Sequence, residues 1–229
     1  MTQDPPEAAG SDLVVRSFTG GAFQENSYLV HCAATGHAAI VDPGAAVPAL
    51  LETVRLDDLE VEAVFLTHAH LDHMEGLPLV REAVDAPIHL HADDLPLYER
   101  AAAQAEAFGM RLSGPLPEVD VFFEPGSEVR VGGHRFEVRF TPGHAPGHVI
   151  LYCAGQGLAL VGDVVFAGSI GRTDLPGGDM QQLLQSIREE VLTLPDATVL
   201  KPGHGPETTV GRERRGNPFL APFTAGERA

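Results

Sequence analysis

"THAHLDH", residues 67–73, places His68, His70, Asp72 and His73 within six consecutive positions. Composition alone predicts only about 0.003 matches to a His-x-His-x-acid-His pattern in a chain with this histidine and acid content. The stretch follows "VEAVFL" (61–66), a β-branched apolar run that reads as a short buried strand. Loops at strand ends carry chemistry on a rigid scaffold. Residues two apart on a segment leaving a strand project the same way, so His68 and His70 can clamp one metal ion. Asp72 and His73 turn away from that pair and can serve a second ion.

Four further stretches have the same form, a ligand-type residue beside a glycine just past an apolar run. "TPGHAPGH" (141–148) offers His144 and His148, "LVGDVVF" (160–166) offers Asp163, "KPGHGP" (201–206) offers His204, and "IVDPG" (40–44) offers Asp42. A dinuclear site needs one more nitrogen per metal and a carboxylate between the metals. Imidazole and carboxylate without a positioned thiolate suit zinc, iron or manganese and disfavour a closed structural zinc site. Two ions roughly 3.5 Å apart lower the pKa of bound water toward about 7, which makes hydroxide available at neutral pH. Asp42 either orients a ligand imidazole or caps the helix that follows it. His148 has a structural or supporting role around the ligands.

The rest of the chain alternates strands with helices. "LVVRSF" (13–18), "NSYLVHC" (26–32) and "HAAIVD" (37–42) read as strands, and "AAVPALLETVRL" (45–56) as a helix. A helix over 74–84, a strand over 87–90 and a helix-rich stretch over 93–110 follow, with Asp93 as its expected N-cap. After a proline-rich loop, "EVRVGGHRFEVRF" (128–140) reads as a hairpin turning at Gly132-Gly133. Strands over 148–154 and 157–163, a helix over 179–194 and a strand over 197–203 complete the pattern. The expected class is α/β, with two sheets and helices packed outside. Residues 1–12 are expected to form a disordered tail, and 13–229 one domain.

Composition narrows the partners. The 229 residues carry a formal net charge of −17, and Lys201 is the only lysine. Such a surface disfavours nucleic acid and anionic membrane. No run of about 18 apolar residues is present to span a bilayer. The start, "MTQDPPEAAGSD", has neither the basic nor the apolar region of a secretory signal, so the expected location is cytoplasmic. Cys32 and Cys153 lie in apolar strand-like stretches and read as buried small hydrophobes. His31, His37, His89, His91 and His134 lack motif context and read as surface or strand histidines.

"THAHLDH", "TPGHAPGH", "VGDVVF" and "PGHGP", in this order, resemble the pattern of the metallo-β-lactamase superfamily, over a match running from about residue 13 to the end. "GSIGRTDLPGGD" (168–179) and "GRERRGNPFL" (211–220) resemble its short glyoxalase II-like branch, that of the hydroxyacylglutathione hydrolases. The resemblance implies a four-layer αβ/βα sandwich of two mixed sheets with the metals at one edge. It implies two divalent ions per chain, zinc foremost, with iron or manganese as the other fits. It implies His68, His70 and His144 on the first metal, Asp72, His73 and His204 on the second, and Asp163 bridging. Full-length glyoxalase II has a C-terminal helical domain that helps grip glutathione. The sequence ends at Ala229, and several of those substrate-binding residues are expected to have no counterpart in it.

The resulting expectation is a metal-dependent hydrolase that cleaves a small-molecule thioester such as S-D-lactoylglutathione by a metal-bridging hydroxide, with Asp72 orienting that hydroxide. A thiolate leaves without a strong general acid, since its solution pKa is near 8.5. One alternative is a mononuclear-iron persulfide dioxygenase, which would have no use for His204 and the second-metal set. Another is a hydrolase of a different ester or lactone. Arg172 and Asp174, in "GRTDLPGGD", admit two readings: an arginine fork for a substrate carboxylate, or an internal pair that shapes the loop. The basic "GRERR" (211–215) reads as a solvated helix face or as partners for local acids.

Overall fold

Hydrophobic alternation along the strands builds two six-stranded mixed sheets, and the computed structural model describes residues 12–221. The first sheet runs β1 (Leu13–Gly20), β2 (Glu25–Cys32), β3 (His37–Val41), β4 (Glu60–Phe65), β5 (Ile88–His91) and β6 (Val121–Phe123), in that spatial order. β1 to β3 form an antiparallel meander, and β3 to β6 are parallel. Parallel neighbours need crossovers. These are α1 (Val47–Leu56), α2 (Leu77–Ala83), and the short pair α3 (Leu95–Tyr98) and α4 (Ala101–Ala107).

The second half begins with β7 (Glu128–Val131), β8 (His134–Phe140), β9 (Val149–Cys153) and β10 (Leu158–Gly162). A two-stranded ribbon, β11 (Val165–Phe166) and β12 (Ser169–Ile170), precedes α5 (Met180–Ser186), which continues as a π-helical turn over Ile187–Val191. β13 (Val199–Pro202), β14 (Thr208–Thr209) and α6 (Val210–Gly216) follow. The second sheet has the order β14-β13-β10-β9-β8-β7, with β10 and β13 parallel and the other neighbours antiparallel.

The period of two explains the layers. Tyr28 and Val30 of β2 point into a cluster with Phe65, Phe136, Val138 and Leu151, the apolar seam between the sheets. Leu29, one step away, packs on the outer face with Ile40, Leu50 and Leu77 under the first set of helices. Ile150 of β9 packs under α5 with Leu183 and Ile187. Every residue of β2 is buried, as a strand covered on both faces requires. The expected four-layer αβ/βα arrangement of two mixed sheets is therefore present.

Local expectations were revised in three places. Asp93 caps nothing: its own backbone N–H donates to His91 Nδ1 (3.3 Å) at the start of a 3-10 turn. The stretch 93–110 breaks into two short helices. β6, the β11/β12 ribbon and β14 are two or three residues long, too short for alternation to show in sequence. The expected N-terminal tail lies outside the described residues except at Asp12, whose carboxylate accepts from Cys32 Sγ at 3.3 Å. Cys32 and Cys153 are buried and free.

Candidate metal centre

The loops after β4, β8, β10 and β13 meet at one end of the sandwich. Among the described residues, His68, His70 and His144 offer ligand atoms within 4.8 Å of one another, and so do Asp72, His73 and His204. Asp163 joins the halves: Oδ1 lies 3.4 Å from His73 Nε2, and Oδ2 lies 3.5 Å from His144 Nε2 and 3.4 Å from His204 Nε2. Asp72 Oδ2 stands 3.3 Å from His204 Nε2.

What lies behind each imidazole sets its tautomer. His144 Nδ1 donates to the carbonyl of Arg172 (2.7 Å) and His204 Nδ1 to that of Phe23 (3.0 Å). His73 Nδ1 sits 3.1 Å from Asp42 Oδ2. The Thr67 hydroxyl donates to Asp42 Oδ2 (2.7 Å), so its oxygen is left to accept from His68 Nδ1 at 3.0 Å. At His68 and His144 the proton is held on the far nitrogen and the lone pair faces the cluster, the arrangement a metal ligand needs. Asp42 also accepts from the Thr67 N–H at 2.7 Å, whereas the N-cap of α1 is Ala46. His148 is fully buried: its Nε2 accepts from the Asp163 N–H (3.1 Å), and its ring stacks on His68 at 4.9 Å.

The donor set fits a pair of cations. His68 Nε2, His73 Nε2 and Asp163 Oδ1 are buried without a hydrogen-bond partner. An orphaned buried polar atom costs about 1–3 kcal/mol unless a partner fills the space. His70 Nδ1 and His144 Nε2 lie 2.8 Å apart, which requires a proton or a cation between them.

The halves differ in charge. Burial pushes His68 and His148 well below the ordinary imidazole range, His70 down to about 3, and His144 down as well. Burial also acts on His73, but the Asp163 and Asp72 carboxylates outweigh it and hold this ring well above the ordinary range. At His204, burial is overcome by hydrogen bonds to Asp163 and Asp72, and the ring is pushed up to about 10. Burial would raise Asp163, but the His73 charge and the hydrogen bond from His204 hold it well below the usual carboxylate range. One half thus presents neutral nitrogens. In the other, a bound metal ion would take the place of protons.

Close approach demands glycine at Gly203, where a Cβ would strike Asp163 Oδ1 and His73 Cε1 (2.5 Å). The His204 loop is tied to the first sheet by Asn26, whose Nδ2 donates to the carbonyls of Pro202 (3.0 Å) and Gly205 (2.9 Å), and by Tyr28, whose hydroxyl donates to Pro202 (2.7 Å). Asp94, fully buried, accepts from the Ala69 N–H (2.8 Å) and the Gly147 N–H (2.5 Å), pinning two ligand loops at once. Sequence reading missed Asn26, Thr67 and Asp94, which are ordinary residue types with distant partners.

The cluster opens on a cleft of about 290 Å³ lined by Phe23, Leu71, Phe108, Phe166, Ile170 and Leu175 besides the ligand-type residues, Ser169 and Arg172. Phe23 and Phe108 meet edge to face at 5.2 Å. Arg172 borders the cleft, but its Nε and one terminal nitrogen bind Asp174 at 2.6 and 2.7 Å, and its contact with the cluster is made by its carbonyl. Arg214 and Arg215 pair with Asp196, away from these lining residues.

Residues 20–204 match the family model of the metallo-β-lactamase superfamily. The chain is 37% identical over 206 residues to the hydroxyacylglutathione hydrolase GloC of Haemophilus influenzae, covering 87% of this chain and 94% of the relative. The crystal structure of the BLEG-1 B3 metallo-β-lactamase superimposes with a TM-score of 0.84 at 36% identity, covering 90% of this chain and 99% of that one. The structure of TTHA1623 in a di-iron-bound form superimposes with a TM-score of 0.81 at 40% identity, covering 90% and 100%. With its two mixed sheets and its ligand-type loops gathered at one end, the chain belongs to the metallo-β-lactamase superfamily of metal-dependent hydrolases.

Proposed function

We propose that this hydrolase cleaves thioesters, a glutathione thioester such as S-D-lactoylglutathione being the first candidate. His68, His70 and His144 would hold one divalent ion, Asp72, His73 and His204 the other, and Asp163 would bridge them. The similarity to GloC supports the substrate class. A di-iron form of TTHA1623 supports two ions, with zinc, iron and manganese all compatible with the donors.

The cleft lining carries the choice of bond. Apart from the ligand set, the only ionisable residue among the described residues that line it is Arg172, which is engaged with Asp174. No side chain there is free to protonate a departing amine. A thiolate, with a pKa near 8.5, departs without one.

Two divalent ions in this cluster would acidify water and polarise a carbonyl oxygen. The chain's own residues provide the rest. Thr67 and the carbonyls of Arg172 and Phe23 bond the outer nitrogens of His68, His144 and His204 and orient those rings, and Asp42 faces His73 Nδ1. Asp72, partly open to the cleft, would orient the attacking water. Phe23, Phe108 and Phe166 exclude bulk water from one side and offer apolar surface to the acyl or thiol portion. In a mononuclear enzyme the Asp72, His73 and His204 group would have no role.

The test is a side-by-side assay of metal-loaded protein on S-D-lactoylglutathione and on a β-lactam. Thioester turnover well above β-lactam turnover is expected; the reverse order would overturn the proposal.

A further inference from the structure

We infer a second metal site, built by Asp12, Cys32 and His134 and suited to a zinc-class ion, at the end of the sandwich away from the centre described above. It is the one other group of three metal-ligating side chains among the described residues whose ligand atoms all lie within 4.8 Å of one another. Cys32 and His134 are 2% and 6% exposed. β2 starts at Glu25, beside the metal centre, and ends at Cys32, so seven steps of about 3.3 Å separate the two places by roughly 20 Å.

One contact at this site is a made hydrogen bond, from Cys32 Sγ to Asp12 Oδ2, whereas the Asp12–His134 pair is close without one. Asp12 Oδ1 lies 2.9 Å from His134 Nε2, yet both atoms are buried and neither has an aligned hydrogen-bond partner. The same signature of close, unpartnered ligand atoms marks His73 and Asp163 at the main centre. Asp12 Oδ2 lies 3.3 Å from Cys32 Sγ. Tetrahedral zinc would set such N···O and S···O pairs about 3.4 and about 3.6 Å apart. The required widening is small, and the Asp12 carboxylate, 23% exposed, has room to take it up.

Charge also balances. On binding, the Cys32 thiol releases its proton to solvent, and the thiolate and the Asp12 carboxylate neutralise a divalent ion while neutral imidazole completes the set. The fourth position falls to water. Cys32 closes β2 of the first sheet and His134 opens β8 of the second, so the ion would staple the two sheets and the start of β1. Gly132 lets the β7–β8 turn come close: a Cβ there would lie 2.8 Å from Cys32 Cβ.

Cobalt(II) tests the site on the full chain, because the main centre contains no sulfur and cobalt bound there gives no thiolate-to-metal charge-transfer band. The cobalt-loaded wild type is expected to show that near-ultraviolet band. Cys153→Ser should keep it, whereas Cys32→Ser should lose it together with one equivalent of bound metal. Absence of the band in the saturated wild type, or its survival in Cys32→Ser, would overturn the site. If Cys32→Ser does not fold, Cys153→Ser decides alone, since Cys32 is then the only thiol in the chain.

Discussion

Asp163 is the residue on which both halves of the centre depend, through 3.4–3.5 Å contacts to His73, His144 and His204. Loss of a supporting residue around a metal typically costs 10–100-fold, and loss of a bridging ligand costs more. Asp163→Ala is therefore expected to lower metal content and to reduce thioester hydrolysis by more than ~10²-fold; metal analysis and turnover on one preparation check both. Unchanged turnover would remove Asp163 from the centre. His68, His70, Asp72 and His73 were legible in sequence because their relation is local, a two-residue spacing just past a strand. The contribution of Arg172 was not. Side-chain chemistry draws attention to its guanidinium, while the structure uses its carbonyl on His144, and a carbonyl looks the same in every residue.

At the scale of elements, the centre is held by long-range ties that no local pattern reveals. Asn26 and Pro202, 176 positions apart, join β2 to the His204 loop. Asp94, at the head of α3, binds the backbone between His68 and His70 and the backbone just before His148. Burial raises its carboxyl to about 6 against the pull of those two N–H groups. Asp94→Ala leaves both N–H groups buried and unpaired. It is expected to cost about 1–3 kcal/mol of stability per lost partner, measured by urea unfolding, and to weaken metal binding 10–100-fold. A variant with wild-type stability and metal affinity would show that the ligand loops hold their own shape. The longer strands and helices were readable from periodicity. β6, β11, β12 and β14 were not, because tertiary pairing creates elements of two or three residues.

For the whole molecule, pH couples folding to the metals. His204 is raised from an ordinary 6.5 to about 10 by its carboxylate neighbours, despite its burial. A group with a raised folded pKa contributes stability that is complete below the unfolded value and lost as pH climbs through the folded one. Chelator-stripped protein is therefore expected to lose stability between about pH 6.5 and 10, as read by thermal melts. The metal-loaded protein should change less over that window, because ions stand where the protons were. Equal slopes for the two forms would contradict the protonated His204–Asp163–Asp72 arrangement. The net charge of −17 was legible from composition and argues for a small-molecule substrate over a polyanion. The identity of the substrate was not, because the cleft is lined by common apolar residues from distant segments.

The most direct test of the central claim is to follow S-D-lactoylglutathione cleavage while divalent metal is removed by chelation and then restored. Cleavage by the loaded protein is expected, with its loss as the metals are removed and its recovery on their return. Cleavage that persists after complete metal removal, or a fully loaded protein that leaves the thioester intact, would contradict it.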